Sequence, residues 1–119
     1  MHSPKTILII DDDENIRDLL QEFLQNNGYK VILADDGLQG MEMIRQENVS
    51  LVILDVKLPY ISGLGLTEIA SQAKPELPII CITGHANAAK QVPLEQVCRV
   101  IPKPFKLQEM LEAVRENLG

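Results

Sequence analysis

The sequence predicts an α/β fold in which helices cover both faces of a parallel sheet. The apolar pattern switches repeatedly between a short solid run and a helical period, as alternating β and α elements around a buried sheet require. Two of the solid runs, Ile7-Leu8-Ile9-Ile10 and Leu51-Val52-Ile53-Leu54, end in carboxylates, at Asp11-Asp12-Asp13 and at Asp55. The 119 residues, 45% hydrophobic, suffice for one core and leave no room for a second domain, so residues 1–119 are expected to form a single domain.

Five βα cycles follow one another along the chain. The first strand spans about Thr6 to Ile10, and the helix after it carries Ile16, Leu19, Leu20, Phe23 and Leu24 at spacings of three and four. Gly28 stops that helix as a C′ residue. A second strand, Lys30 to Ala34, leads to Asp36-x-x-Gln39, which resembles a capping box for a helix with Leu38, Met41 and Ile44 on its apolar side. The third strand is Leu51 to Leu54. In the segment Lys57-Leu58-Pro59-Tyr60-Ile61-Ser62-Gly63, proline and glycine mark an irregular loop over the strand end. A short helix through Leu66, Ile69, Ala70 and Ala73 follows, and Pro75 and Pro78 bracket the next turn.

Strand four is Ile79-Ile80-Cys81-Ile82, ending at Thr83-Gly84, and strand five is the short run Arg99 to Ile101. Between them, Pro93 breaks or kinks any helix running through Ala86 to Val97, so a short or distorted fourth helix is expected there. The last helix places Leu107, Met110, Leu111, Val114 and Leu118 on one stripe. The sequence stops as that helix does, as in a stand-alone or an excised domain.

Composition removes several function classes. A formal net charge of −6 and the lack of a basic stripe argue against a nucleic-acid surface, which needs clustered Lys and Arg. Cys81 and Cys98 lack C-x-x-C spacing and read as reduced thiols of a cytosolic protein. No signal-peptide pattern and no long apolar stretch point to export or membrane insertion.

The chemistry concentrates at one sheet edge. In a parallel sheet the carboxyl ends of the strands lie side by side, where open α/β folds bind ligands. Asp11 and Asp12 follow strand one, Asp55 strand three, Thr83 strand four and Lys103 strand five. Like charges gathered there repel unless a divalent cation, a proton or a lysine offsets them. Hard carboxylate oxygens suit Mg²⁺. Asp55 then fits a carboxylate nucleophile for phosphorus, with the Thr83 hydroxyl and the Lys103 ammonium offsetting charge on the transferred group. Taken singly, each residue has a plainer role. Asp13 is a helix N-cap, Thr83 a β-branched strand residue and Lys103 a solvated charge.

With Ile7-Leu8-Ile9-Ile10-Asp11-Asp12-Asp13, Leu54-Asp55-Val56-Lys57-Leu58-Pro59 with Gly63, Thr83-Gly84 and Lys103-Pro104-Phe105, the chain resembles a receiver domain of a two-component response regulator. The likeness covers essentially its whole length. It implies a (βα)₅ flavodoxin-like three-layer sandwich with strand order 2-1-3-4-5. It implies Mg²⁺ dependence and transfer of phosphoryl from the phosphohistidine of a sensor histidine kinase, or from a phosphotransfer protein, to Asp55, without turnover as an enzyme. It also implies that Asp12 and Asp55 hold the metal directly, Asp11 through water and Lys57 through its backbone carbonyl. Thr83 and Lys103 would contact the phosphoryl oxygens, and the Lys103-Pro104 bond would be cis. A cytoplasmic location, a separate output domain or target, and a homodimer through the fourth and fifth helices complete the implied picture.

The chain departs from that pattern in places. Val100 stands where receivers usually carry the tyrosine or phenylalanine whose rotation accompanies activation. The stretch from Thr83 to Lys103 is slightly shorter than usual and contains Pro93, and Pro102 removes an amide donor beside Lys103. Lys57 and His85 border the expected entry path for attacking water and are candidates for tuning phosphoryl lifetime, Lys57 by partly offsetting the acid cluster, while Gly84 and Val100 are modulatory positions. Two alternatives stay open. One is an interaction module that never takes phosphate. The other is a phosphatase of the haloacid-dehalogenase type, whose motif Asp11-x-Asp13 resembles, although Asn15 replaces the usual Thr or Val and no cap domain fits.

Overall fold

In the computed structural model, which describes residues 4–56, 63–84 and 97–118, the strands are β1 (Thr6–Ile10), β2 (Lys30–Ala34), β3 (Leu51–Asp55), β4 (Ile79–Thr83) and β5 (Val97–Pro102). The helices are α1 (Glu14–Asn26), α2 (Gly37–Gln46), α3 (Gly63–Ala73) and α4 (Leu107–Leu118). The strands form one parallel sheet in the order β2-β1-β3-β4-β5, as the resemblance implied. The short or distorted fourth helix expected between β4 and β5 lies outside the described residues, as do Lys57 and His85.

The alternation of strand side chains divides the core in two. Ile7, Ile9, Leu51, Ile53, Ile80 and Ile82 point to one face and pack with Leu20 and Leu24 of α1 and Met110, Leu111 and Val114 of α4. Leu8, Ile10, Val52, Leu54, Ile79 and Cys81 point to the other and pack with Ile44 of α2 and Leu66 and Ala70 of α3. Both faces are covered, so the strands read in the sequence as continuous apolar runs.

Local signals set the helix ends. The Asp13 carboxylate accepts from Asn15 N at 2.9 Å and from Ile16 N at 3.4 Å, which caps α1. Gly28 sits at φ +94°, a conformation that a β-carbon disfavours, just past the end of that helix. Asp36 caps α2 through Gln39 N at 2.8 Å, while Gln39 Oε1 reaches back to Asp35 N instead of closing on Asp36. Two expected core leucines face outward: Leu19 is 48% and Leu38 51% exposed, because each lies at the margin of its helix's apolar stripe.

β5 runs from Val97 to Pro102, longer than the Arg99–Ile101 of the sequence pattern. Its register with β4 shifts between Ile79 and Ile80, which face Val97 and Arg99, so β5 carries one extra residue there. Pro102 ends this edge strand, a position where a missing donor is tolerated. Arg99 pairs with Glu116 of α4 at 3.6 Å, tying the edge to the helix beside it.

Candidate functional site

Each candidate residue sits on a backbone held by the sheet ladder. Asp11 lies one residue past β1, and its amide still donates to Ala34 O at 3.2 Å. Asp55 is the last residue of β3, paired with Ile82, and the next amide, Val56 N, donates to Ile82 O at 3.0 Å. Lys103 follows β5, and its amide donates to Thr83 O at 2.7 Å. These anchors fix side-chain origins on rigid elements, as a preorganised site needs.

The side chains converge. One carboxylate oxygen from each of Asp11, Asp12 and Asp55 lies within 4.8 Å of the others. Lys103 Nζ donates to Asp55 Oδ2 at 3.2 Å and stands 3.4 Å from Asp11 Oδ2. Asp11 and Asp55 are 0% and 5% exposed, whereas Asp12 is open to solvent. Thr83 is buried as the last residue of β4, beside the strand that ends in Asp55. Gly84, next to it, is exposed with open space where a Cβ would stand. Val100 is half-buried and packs against the core layer under α2 and α3, facing Cys81 across the strand pair. The Lys103-Pro104 peptide bond is cis, as the resemblance implied.

The electrostatics follow from burial. Desolvation lifts the Asp11 carboxyl above its ordinary value; the Asp13 amide pulls it down, the Asp55 charge pushes it up and Lys103 pulls it down, with burial prevailing. For Lys103, burial alone would favour the neutral amine. The Asp11 charge, the hydrogen bond to Asp55 and the Asp55 charge together outweigh it and hold the ammonium above the usual lysine range.

One observation tests whether a metal suits this cluster. Asp11 Oδ1 is occupied by Asp13 N at 2.9 Å, whereas the buried Asp11 Oδ2 accepts no hydrogen bond, although Lys103 stands at ion-pair distance. A buried carboxylate oxygen left in that state is costly unless another electrophile completes it. Three carboxylates and one ammonium also leave a formal balance of two negative charges, that of a divalent cation. An all-oxygen donor set with one ligand open to water fits a small hard cation of the Mg²⁺ kind.

A parallel five-stranded sheet with an acid cluster and a lysine at its carboxyl rim defines an open α/β domain with a cation- and phosphate-compatible site at the strand ends. Comparison with known proteins makes this specific. The family model for the response regulator receiver domain matches residues 7–115, and the chain belongs to that family. It is thus a phospho-accepting signalling domain, not an enzyme in the usual sense. Among curated proteins it is 34% identical over 114 residues to the response regulator MprA of Mycobacterium leprae, covering 94% of this chain and 50% of that protein. The chain therefore spans about half the length of the curated relatives it matches. Among solved structures it is similar to a CheY-like receiver domain protein from Methanospirillum hungatei, at 34% identity and a TM-score of 0.91, covering 98% of this chain and 94% of that one. It is also similar to the response regulator TrrA of Thermotoga maritima in complex with Mg²⁺-BeF, at 33% identity and a TM-score of 0.88, covering 94% and 97% of the two chains.

Of the residues singled out from sequence, the structure brings Asp11, Asp12, Asp55 and Lys103 into one cluster and places Thr83 at the carboxyl end of β4, the strand next to the one that ends in Asp55. Sequence reasoning missed Arg17, whose guanidinium donates to Asp11 O at 2.6 Å. Its only signal was a basic residue in an acidic stretch, Asp11 to Glu22.

Proposed function

We propose that Asp55 is the phospho-acceptor and that the cluster takes Mg²⁺, with Asp12 and Asp55 as direct ligands, Asp11 acting through water and Lys57 lending its backbone carbonyl. The observation that carries this reading is the Lys103 ammonium held at 3.2 Å from Asp55 and 3.4 Å from Asp11 within the three-carboxylate cluster. An Asp55 oxygen forms the bond to phosphorus as the P–N bond of a phosphohistidine breaks, its electron pair staying on the imidazole nitrogen. Lys103, already aimed at Asp55 Oδ2, neutralises a phosphoryl oxygen as the phosphoryl group moves onto the carboxylate. The Thr83 hydroxyl donates to a second phosphoryl oxygen. When bound, Mg²⁺ supplies the remaining positive charge that lets two anions approach.

The phosphoryl donor is a sensor histidine kinase or a phosphotransfer protein, as membership of a two-component family implies. Residues 1–119 are read as one receiver domain working in the cytoplasm and acting on an output domain or target through a changed surface. Among the described residues no helix is long and apolar enough to cross a membrane. Lys57 and His85 are assigned to tuning of phosphoryl lifetime, Gly84 to a modulatory position beside Thr83, and Val100 to a switch that lacks the usual aromatic swing. Incubation with acetyl phosphate and Mg²⁺, read by intact mass, should add one phosphoryl group to wild type and none to Asp55→Asn. Unmodified wild type would remove the proposal and favour a module that never takes phosphate.

A further inference from the structure

The geometry points to Arg17 as a positioning residue for the metal site, an inference that rests on the cluster binding Mg²⁺. Arg17 lies in the second turn of α1, and its side chain returns over six residues to donate from Nη1 to Asp11 O at 2.6 Å. That carbonyl belongs to the peptide joining Asp11 to Asp12, the two acids contributed by the β1–α1 turn.

Asp11 is thereby tied at every polar atom but one. Its amide donates to Ala34 O at 3.2 Å, its carbonyl accepts from Arg17, and its Oδ1 accepts from Asp13 N at 2.9 Å. The remaining atom is Oδ2, the buried oxygen without a hydrogen bond that faces the cluster and Lys103. The three bonds act on different sides of the residue and leave the Asp11–Asp12 peptide little freedom to rotate. A short hydrogen bond from a cationic donor is the strongest kind available to hold a carbonyl. Arg17 is not needed to cap the helix, since Asp13 already does so through Asn15 N and Ile16 N. Among the described residues it makes no ion pair. Its half-buried guanidinium serves the carbonyl.

The role predicts an effect of unusual sign. Removing a cation near an acidic site should, by long-range electrostatics alone, tighten Mg²⁺ binding. If Arg17 acts by holding the loop, its removal loosens binding instead, because partners that orient metal ligands typically contribute about ten-fold or more in affinity. Arg17→Met keeps the aliphatic stem and discards the donor. Arg17→Lys keeps charge and one donor. Arg45→Ala removes an exposed positive charge from the far end of α2.

The test is Mg²⁺ titration by calorimetry on wild type and these variants, with folding checked by circular dichroism and the Asp11 and Asp12 amide resonances followed by NMR. Expected are about ten-fold weaker binding and displaced Asp11 and Asp12 resonances in Arg17→Met, partial recovery in Arg17→Lys, and unchanged or slightly tighter binding in Arg45→Ala. Equal or tighter binding by folded Arg17→Met overturns the inference. Should Arg17→Met not fold, Arg17→Lys decides: its affinity must fall between wild type and a several-fold loss with the same two resonances moved, and an unmoved Asp11 amide overturns the assignment. Absence of Mg²⁺ binding by wild type would instead overturn the functional reading beneath it, a separate outcome.

Discussion

At the scale of the residue, Asp11 trades stability for chemistry. Its carboxylate is shielded from solvent, leaves Oδ2 without a hydrogen bond and sits beside the charges of Asp55 and Asp12. Burial raises its pKa above the ordinary 3.8, so ionised Asp11 opposes folding. That penalty is absent below pH 3.8 and grows as pH rises through the folded value. Asp11→Asn should therefore stabilise the metal-free domain by roughly 1 kcal/mol at neutral pH. The advantage should vanish as pH falls towards 3.8, which urea midpoints at neutral and acid pH would reveal. Equal midpoints at neutral pH would remove this reading. Lys103 obeys the opposite rule. Its folded pKa lies above 10.5, so its stabilisation is complete below that pH and fades as pH climbs through the folded value. Lys103→Met should lower the denaturation midpoint at neutral pH, and the gap to wild type should close in strong alkali. A gap that persists there would mean that packing of the lysine stem, not its charge, was lost.

At the scale of the element, the helix over the acid turn must come very close. A Cβ on Gly40 of α2 would meet Ile10 Cδ1 at 2.4 Å and Cγ1 at 2.9 Å. Ile10 is fully buried as the last residue of β1, immediately before Asp11. Gly40→Ala would gain up to about 1 kcal/mol of helix propensity. Displacing a packed isoleucine costs about 1–3 kcal/mol, so a net loss of stability is expected in thermal unfolding. Ile10→Val in the same chain should restore part of it. A Gly40→Ala domain more stable than wild type would show that α2 can lift off without strain.

The elements also show what the sequence carried and what it hid. Strand identity was plain because both sheet faces are covered, which writes each strand as a solid apolar run. The convergence of Asp11, Asp55 and Lys103 was equally readable. They continue the alternation of Ile7 and Ile9, of Leu51 and Ile53, and of Ile101, all on the face packed by α1 and α4. The extra residue in β5 was hidden, since register is decided by the neighbouring strand. So were the reach of Gln39 to Asp35 and that of Arg17 to Asp11, where flexible side chains choose partners by tertiary geometry.

For the whole molecule, the acid rim sits on a chain of net charge −6, so a bound cation relieves both local and overall repulsion. A ligand that binds only the folded state stabilises it by mass action, by about 2.7 kcal/mol at a hundred times its Kd. For a domain of this size that is a rise in Tm of roughly 10 °C. The rise should be larger at neutral than at acid pH, because below its raised pKa Asp11 holds a proton that the cation must displace. Asp11→Asn should start from the higher Tm but gain less from Mg²⁺, so the two melting curves approach or cross as Mg²⁺ is added. Parallel shifts in wild type and Asp11→Asn would place the cation elsewhere on the acidic surface. A cluster that weakens the empty fold and strengthens the loaded one links the state of the rim to the stability of β1, β3 and β5 beneath it.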